Sequence, residues 1–401
     1  MRNTIGIGAS VLLGLATLFP LESASAADED VVFLRTDCSG TSSNQTCFSD
    51  LKALQSWLWS VRQPSSNSPV SVHIGPGEFP NNTGSAQAIT CPDGSGHVSF
   101  IGSGPDNTKI TSGGNAVSAS NCTNLHFQDM SLSTTGSYAI RWFGGGSSRW
   151  VNVDVFGPWD AWLDTPPDCN GAHPIHYWFN SRLKHTGAAG SSLAGYETAC
   201  GESWFYASEL TYLVQNSANS TVISISGNAD VRMFGSVVRA IVPEGSDPGG
   251  RNAFVVGVKA ADSGSFHMHG GIISLNVGSL TKDVGVSGIE NYGTGVMHTP
   301  DTAFALVPSG NGSVYRTYSQ NGGPVLSPFT WPPGINPPSL VSDSLSTEGA
   351  DLFVETDCDA GGDCESAQTA DQEPHLMVYT HKCSSAGPWF DIVRGKCRGE
   401  P

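Results

Sequence analysis

The 401-residue sequence is poor in charge: Asp, Glu, Lys and Arg make up only 14% of it. Few segments carry apolar residues at helical spacing, so a predominantly helical protein is excluded. No segment beyond the amino terminus approaches the roughly 20 consecutive apolar residues of a membrane-spanning helix. Basic residues are scarcest of all, 19 Lys and Arg against 36 Asp and Glu, for a formal net charge of −17. Such a field repels nucleic acid and anionic membranes. It would also repel a polyanionic sugar, except at a local basic patch or a bound cation. Finally, no CxxC or Cys/His pair has the spacing of a structural zinc site.

What is present points outside the cell. Met1-Arg2-Asn3 leads into an apolar, small-residue run from Ile5 to about Phe19 and then Ala24-Ser25-Ala26. This is the three-part layout of a secretory signal peptide over residues 1–26, so a mature, secreted or cell-surface protein is expected from Ala27. All ten cysteines lie beyond it. Export puts them where disulfides persist, and their order suggests neighbour pairs: Cys38 with Cys47, Cys91 with Cys122, Cys169 with Cys200, Cys358 with Cys364, and Cys383 with Cys397. Other connectivities stay open from sequence.

Gly 48, with many Ser, Asn and Thr, describes a chain rich in turns. One amphipathic helix is expected near Cys47–Leu58, where Phe48, Leu51, Leu54, Trp57 and Leu58 fall at helical spacing and Ser49 or Asp50 can cap the start. From residue 70 onward short β-rich runs begin at Val70, Val98, Leu125, Trp150, Ile175, Ser203, Val231 and Ser265, separated by 28, 27, 25, 25, 28, 28 and 34 residues. A near-constant step of this length signals a repeated unit. Units so short cannot bury a face alone, but coiled into a parallel solenoid each strand buries one side against the next rung. An antiparallel sandwich would explain the alternation but not the period. The expected architecture is therefore all-β: a right-handed parallel β-helix over 27–323 whose amino-terminal end is covered by the helix. A Pro-rich linker at 324–339 and a small cysteine-rich module at 340–401 follow.

Val72-His73-Ile74-Gly75-Pro76-Gly77-Glu78-Phe79 and Val98-Ser99-Phe100-Ile101-Gly102-Ser103-Gly104-Pro105-Asp106-Asn107-Thr108-Lys109-Ile110-Thr111 resemble the opening rungs of the pectin lyase-like superfamily, pectinesterases in particular. The resemblance implies a β-helix that acts on a cell-wall glycan. It covers residues 47–115 as motif, and to about 300 only as period. The family's catalytic signatures are missing: there is no Gln-Ala-Val, Asp-Phe-Ile-Phe-Gly or Gly-Arg-Pro-Trp, no polygalacturonase Asn-Thr-Asp or Gly-His-Gly, and no pectate-lyase Trp-Ile-Asp-His. No catalytic residue is carried over.

The residues themselves suggest a site between Arg141 and Tyr206, which holds six of the ten tryptophans. Aromatic rings beside hydrogen-bonding and proton-transferring groups suit a saccharide. Trp159 and Trp162, on a stretch read as a loop after Gly157-Pro158, are the expected stacking residues, with His173 and His176 beside them. Asp154, Asp160 and Asp164 could supply a paired-carboxylate hydrolase. Arg182 and Lys184, alternating along a strand, could instead serve a lyase, and a carbohydrate esterase is a third enzyme class in view. The rival to all three is a non-catalytic surface or adhesion protein, in which the solenoid is a rigid spacer and the cysteine-rich tail mediates attachment; the structural reading of Trp150, Trp178 and Trp204 is that they sit inside rungs as core. His267-Met268-His269 places two histidines on one strand face, with no third ligand visible. Asp357-Cys358-Asp359-Ala360-Gly361-Gly362-Asp363 is similar to a calcium loop but lacks its terminal Glu, so no cofactor is expected.

Overall fold

The computed structural model describes residues 30–81, 87–136, 138–158, 162–164, 173–186, 194–214, 219–242, 253–277, 284–299, 302–307, 315–320, 325–326, 352–355, 375–379, 389–391 and 396–397. The expected signal peptide and the calcium-like turn lie outside these residues, as does the expected Pro-rich linker at 324–339 except for Val325–Leu326, which pair as a strand with Met297–His298.

From Asp30–Leu34 to Val325–Leu326 every pairing between strands is parallel, and 24 strands join one continuous sheet. Parallel pairing at each step removes the antiparallel sandwich, and the chain coils as a right-handed parallel β-helix. One face runs through Asp30–Leu34, Val70–Ile74, Gly96–Ile101, Ile175–Phe179 and Glu202–Tyr206. A second runs through Gly77–Asn81, Thr108–Ser112, Arg182–His185 and Glu209–Leu213, and a third through Ile89–Cys91, Ala194–Thr198, Asn219–Ile225 and Ala253–Ala260. Long strands such as Val117–Thr134 and Ile140–Gly157 turn corners and serve several faces.

Strict alternation fills the interior. In Glu202–Tyr206, Ser203 and Phe205 are buried while Glu202, Trp204 and Tyr206 are not. Register stacks Phe100, Phe127, Trp150, Trp178 and Phe205 in one internal column, with centroids 5.2, 4.2, 4.7 and 5.8 Å apart and planes within 13° of parallel. Trp150 thus stands opposite Phe127 and Trp178, two positions into its strand segment rather than at its start.

The corner beyond this column is built by a second repeat. Asp129, Asn152, Asn180 and Ala207 are all left-handed, with φ of 54, 52, 47 and 47°, and Gly235 and Gly270 continue the column at 56 and 65°. Next to them Ser181, Ser208 and Ser236 form a buried hydroxyl ladder. Their Oγ atoms accept from the backbone N–H of Val153, Ser181 and Ser208 at 3.1, 3.2 and 3.1 Å. The same hydroxyls donate to Phe179, Tyr206 and Phe234 carbonyls. Each corner amide is thereby satisfied without water. At the next rung Gly271 takes the serine's place, since a Cβ there would lie 2.1 Å from the Ser236 carbonyl oxygen.

The expected cap is present, though shorter as an α-helix. Leu51–Ser56 is α-helical, and Trp57–Arg62 continues as a π-helix. Asp50 caps the start by accepting from Lys52 and Ala53 N–H at 3.1 and 3.2 Å. Leu51, Leu54 and Leu58 enter the same buried cluster as Val32, Val70 and Ile89, which closes the apolar end of the solenoid. Gln55 Oε1 accepts from the Thr90 N–H at 2.9 Å, docking the helix on Ile89–Cys91.

Two of the expected disulfides are formed, Cys38–Cys47 and Cys91–Cys122, and Cys200 is disulfide-bonded as well. Among the described residues no cysteine is free, and no helix is long and apolar enough to cross a membrane. At the carboxyl end Leu352–Glu355, His375–Tyr379, Trp389–Asp391 and Lys396–Cys397 pair antiparallel in a separate four-stranded sheet. Its strand Leu352–Glu355 lies against Ala303–Val307 of the solenoid.

Candidate functional site

The residues singled out by sequence do not converge. Trp162 is fully buried: it starts a strand in register with Ile140 and Tyr196 and stacks on Tyr196 at 5.6 Å. His176 is fully buried too, edge-on to Trp142 and Trp162 at 4.7 and 4.5 Å, with Nδ1 2.8 Å from Ser148 Oγ. Burial pulls its pKa down to about 3, so it is a neutral core residue. Both were expected to touch substrate; inward alternation removes them from the surface. Asp164 is in register with Trp142, whereas Trp159 and Asp160 lie outside the described residues. His173 is exposed on the approach to Ile175–Phe179.

Asp154 and Arg182 come together, in an arrangement opposed to both catalytic readings. They are cross-strand neighbours, and Arg182 donates from Nε to Oδ1 at 2.7 Å and from Nη2 to Oδ2. The bonds to Asp154 raise the Arg182 pKa, which leaves neither a proton donor nor a base. Lys184 is exposed on the same face, in register with Phe156 and Thr211.

The denser arrangement lies on the outer surface of the first face, around the corner from that pair. Side chains alternate outward from Tyr177 and Phe179, from Glu202, Trp204 and Tyr206, from Asp230, Arg232 and Phe234, and from Ser265, His267 and His269. Register aligns them in columns. Phe179, Tyr206, Phe234 and His269 stack at 5.0, 5.1 and 5.2 Å with planes within 10° of parallel. Trp204 lies between Tyr177 and Phe234, at 6.3 and 6.1 Å. Adjacent parallel strands stand about 4.7–4.9 Å apart, so upright rings overlap face to face and present their edges outward.

A polar fringe borders the rings. Trp204 Nε1 donates to Glu202 at 2.9 Å, and the Arg232 guanidinium lies 4.4 Å from the Trp204 ring centroid. Arg232 donates twice to Asp230 Oδ2, from Nε at 2.8 Å and Nη2 at 2.6 Å. That hydrogen bonding raises the Arg232 pKa. Glu202 and Asp230 are direct cross-strand neighbours, which sets two carboxylates side by side along the fringe. Burial, reinforced by Tyr177, raises the Tyr206 pKa, which keeps its hydroxyl a donor at neutral pH. His267 is pulled below the ordinary imidazole value chiefly by burial, with Arg232, His298 and His269 adding to it against Asp230. It is therefore neutral near pH 7, and its 3.6 Å approach to Asp230 is not a charged pair.

The face continues toward the amino terminus through Val151, Gln128, Ile101, His73 and Phe33, all in register. There a cleft of about 470 Å³ opens, lined in part by Phe33, Arg35, Asp37, His73 and Ile101. The sequence reading of Trp204 as rung core is corrected, since it faces outward, and Glu202, Asp230, Arg232 and Phe234 are not among the site residues that the sequence suggested. The available signal was the outward half of the alternation, read rung by rung.

No protein-family profile matches the chain, and no curated relative does. Among solved structures it is similar to a pectin methylesterase from carrot, at 12% identity and a TM-score of 0.42, over 76% of this chain and 90% of that one. It is also similar to a pectin methylesterase solved in complex with a hexasaccharide, at 10% identity and a TM-score of 0.34, over 76% and 92%. The chain's own parallel register, not this likeness, carries the fold.

Proposed function

We propose that the protein binds a polysaccharide along the outer surface of the first face. The observation that carries this reading is the row Tyr177, Phe179, Trp204, Tyr206 and Phe234, fixed in register over three successive strands and bordered by Glu202, Asp230 and Arg232. An extended sugar chain advances by about one strand spacing per unit, so one ring edge and one fringe group meet each sugar. Hydroxyls are recognised by fixed carboxylate, guanidinium and phenol groups, while apolar sugar faces cover the half-buried rings.

One observation favours the rival, a rigid non-catalytic rod: the ring faces are engaged by one another. Such a row stiffens the solenoid whether or not a ligand covers it.

A glycan array on the secreted protein, followed by affinity electrophoresis with the best hits, separates the two. Trp204→Ala is expected to weaken binding by about tenfold or more, because it removes a ring and frees both Glu202 and Arg232. Lys184→Ala, on another face, is expected to leave affinity unchanged. Absence of any glycan signal, or binding indifferent to Trp204→Ala in protein of normal thermal stability, would sink the proposal.

A further inference from the structure

Asp230 has one satisfied oxygen and one orphan. Both Arg232 donors go to Oδ2. Oδ1 is buried and accepts no hydrogen bond among the described residues. Leaving a charged acceptor buried without a partner is costly, and native proteins resolve such atoms with water or an ion.

The groups around this oxygen are the imidazoles. His267 Nε2 stands 3.6 Å from Oδ1. His298, in register with His267 on the next rung, lies edge-on to His267 at 6.0 Å and to His269 at 5.3 Å between centroids. The sequence shows two of these histidines on one strand face; the coil supplies the third from Met297–His298 and the carboxylate from Asp230–Val242.

We propose that Asp230, His267 and His298, with His269 within reach, bind a divalent transition ion of the Zn²⁺ class. Zinc takes nitrogen at about 2.0–2.1 Å and carboxylate oxygen at about 2.0–2.2 Å, so two ligands of one tetrahedral ion sit roughly 3.3 Å apart. The Oδ1–Nε2 separation is already within a few tenths of an ångström of that. Among the described residues no three such donors yet surround a single point, so His298 must rotate to complete the site. Only part-buried, it has room to do so. The ligand set selects the ion: imidazoles suit zinc, copper and nickel, while calcium and magnesium take oxygen. The charge of Arg232 is engaged by Asp230 Oδ2, and the net charge of −17 draws cations to the surface. Three protein donors leave one position for water, as in catalytic rather than structural zinc sites.

The test is titration of the chelator-stripped, full-length secreted protein with Zn²⁺ alone, by calorimetry, with no glycan present. Expected are one ion per chain, a higher melting temperature with saturating Zn²⁺, and visible absorption of nitrogen-ligated Co²⁺ in the substituted protein. His267→Ala and His298→Ala should each weaken Zn²⁺ about tenfold or more, and the exposed His173→Ala should not. Asp230→Asn should weaken it as well while keeping a hydrogen-bonding side chain beside Arg232. No Zn²⁺ uptake in the micromolar range, or uptake that survives both histidine substitutions, overturns the proposal. Glycan binding measured in chelator stands or falls separately, so the two proposals fail distinguishably.

Discussion

Arg182 holds both carboxylate oxygens of Asp154 from the neighbouring rung, and the carboxylate is buried while the guanidinium remains largely exposed. Two residues that suit opposite chemistries on paper thus form one cross-strand tie. It continues an alternating ladder, for Glu78 faces Lys109 earlier on this face and Glu209 faces Arg182 later.

Breaking that tie should therefore cost stability and nothing else. Asp154→Asn is expected to lower unfolding free energy by about 1–2 kcal/mol, less than for a fully buried pair because Arg182 can turn to water. Urea titration measures the loss. Glycan binding should be unchanged, and a fall in binding without a fall in stability would return Asp154 to the list of site residues.

Acid should weaken the fold through two core histidines. Burial pulls both His176 and His185 down to about 3, from an ordinary 6.5. The folded state keeps them neutral, whereas the unfolded chain protonates them below pH 6.5. Their full contribution is present above pH 6.5 and falls by about 1.4 kcal/mol per pH unit per histidine as pH drops from there toward 3. Among the described residues neither ring nitrogen of His185 has a hydrogen-bond partner, and its ring lies 4.3 Å from that of Tyr212. His185→Phe should accordingly flatten the decline between pH 6.5 and 4 by roughly half at little cost at pH 7. Melting curves across that range decide it: an unchanged slope would mean that His185 is not the titrating group.

The left-handed corner column offers a stabilising change. Its occupants are Asp129, Asn152, Asn180, Gly235 and Gly270, residues that tolerate positive φ, with Ala207 the exception at 47°. An L-residue with an ordinary Cβ bears roughly 1–2 kcal/mol there, partly offset by the greater unfolded-state freedom of glycine. Ala207→Gly should raise stability by about 0.5–1 kcal/mol. Chemical denaturation reads the change, and a destabilised variant would refute the strain.

The solenoid was legible in the sequence because it rests on a length and a parity. From Val70 onward each rung spends between 22 residues, as from Lys109 to Ser131, and 35, as from Asp230 to Ser265, and alternate positions must be apolar to fill the interior. The site was not legible, because parity has two answers. Tyr177 and Trp178 are adjacent aromatics, yet one faces solvent and the other the core. The same holds for Trp204 and Phe205. Trp162 was read as a loop residue from Gly157-Pro158 before it, when it begins the next inner strand. A finer signal was present: Phe179-Asn180-Ser181, Tyr206-Ala207-Ser208 and Phe234-Gly235-Ser236 repeat an outward ring, a left-handed corner and a buried hydroxyl. Aligned on that triplet, the chain places every neighbouring residue inside or out. The Asp230–His267 approach had no such signal, for its partners lie on different rungs and only the coiling brings them together.

The internal file from Phe100 to Phe205 has an optical meaning. Trp142, Trp150, Trp162 and Trp178 are all fully enclosed, and Trp150 and Trp178 are stacked on each other. In a quasi-linear molecule that frays from its ends, such indoles sense only the central coils. Their emission and near-ultraviolet dichroism should outlast the loss of strand signal from either terminus, so the protein carries a built-in clock for the order in which its coils come apart.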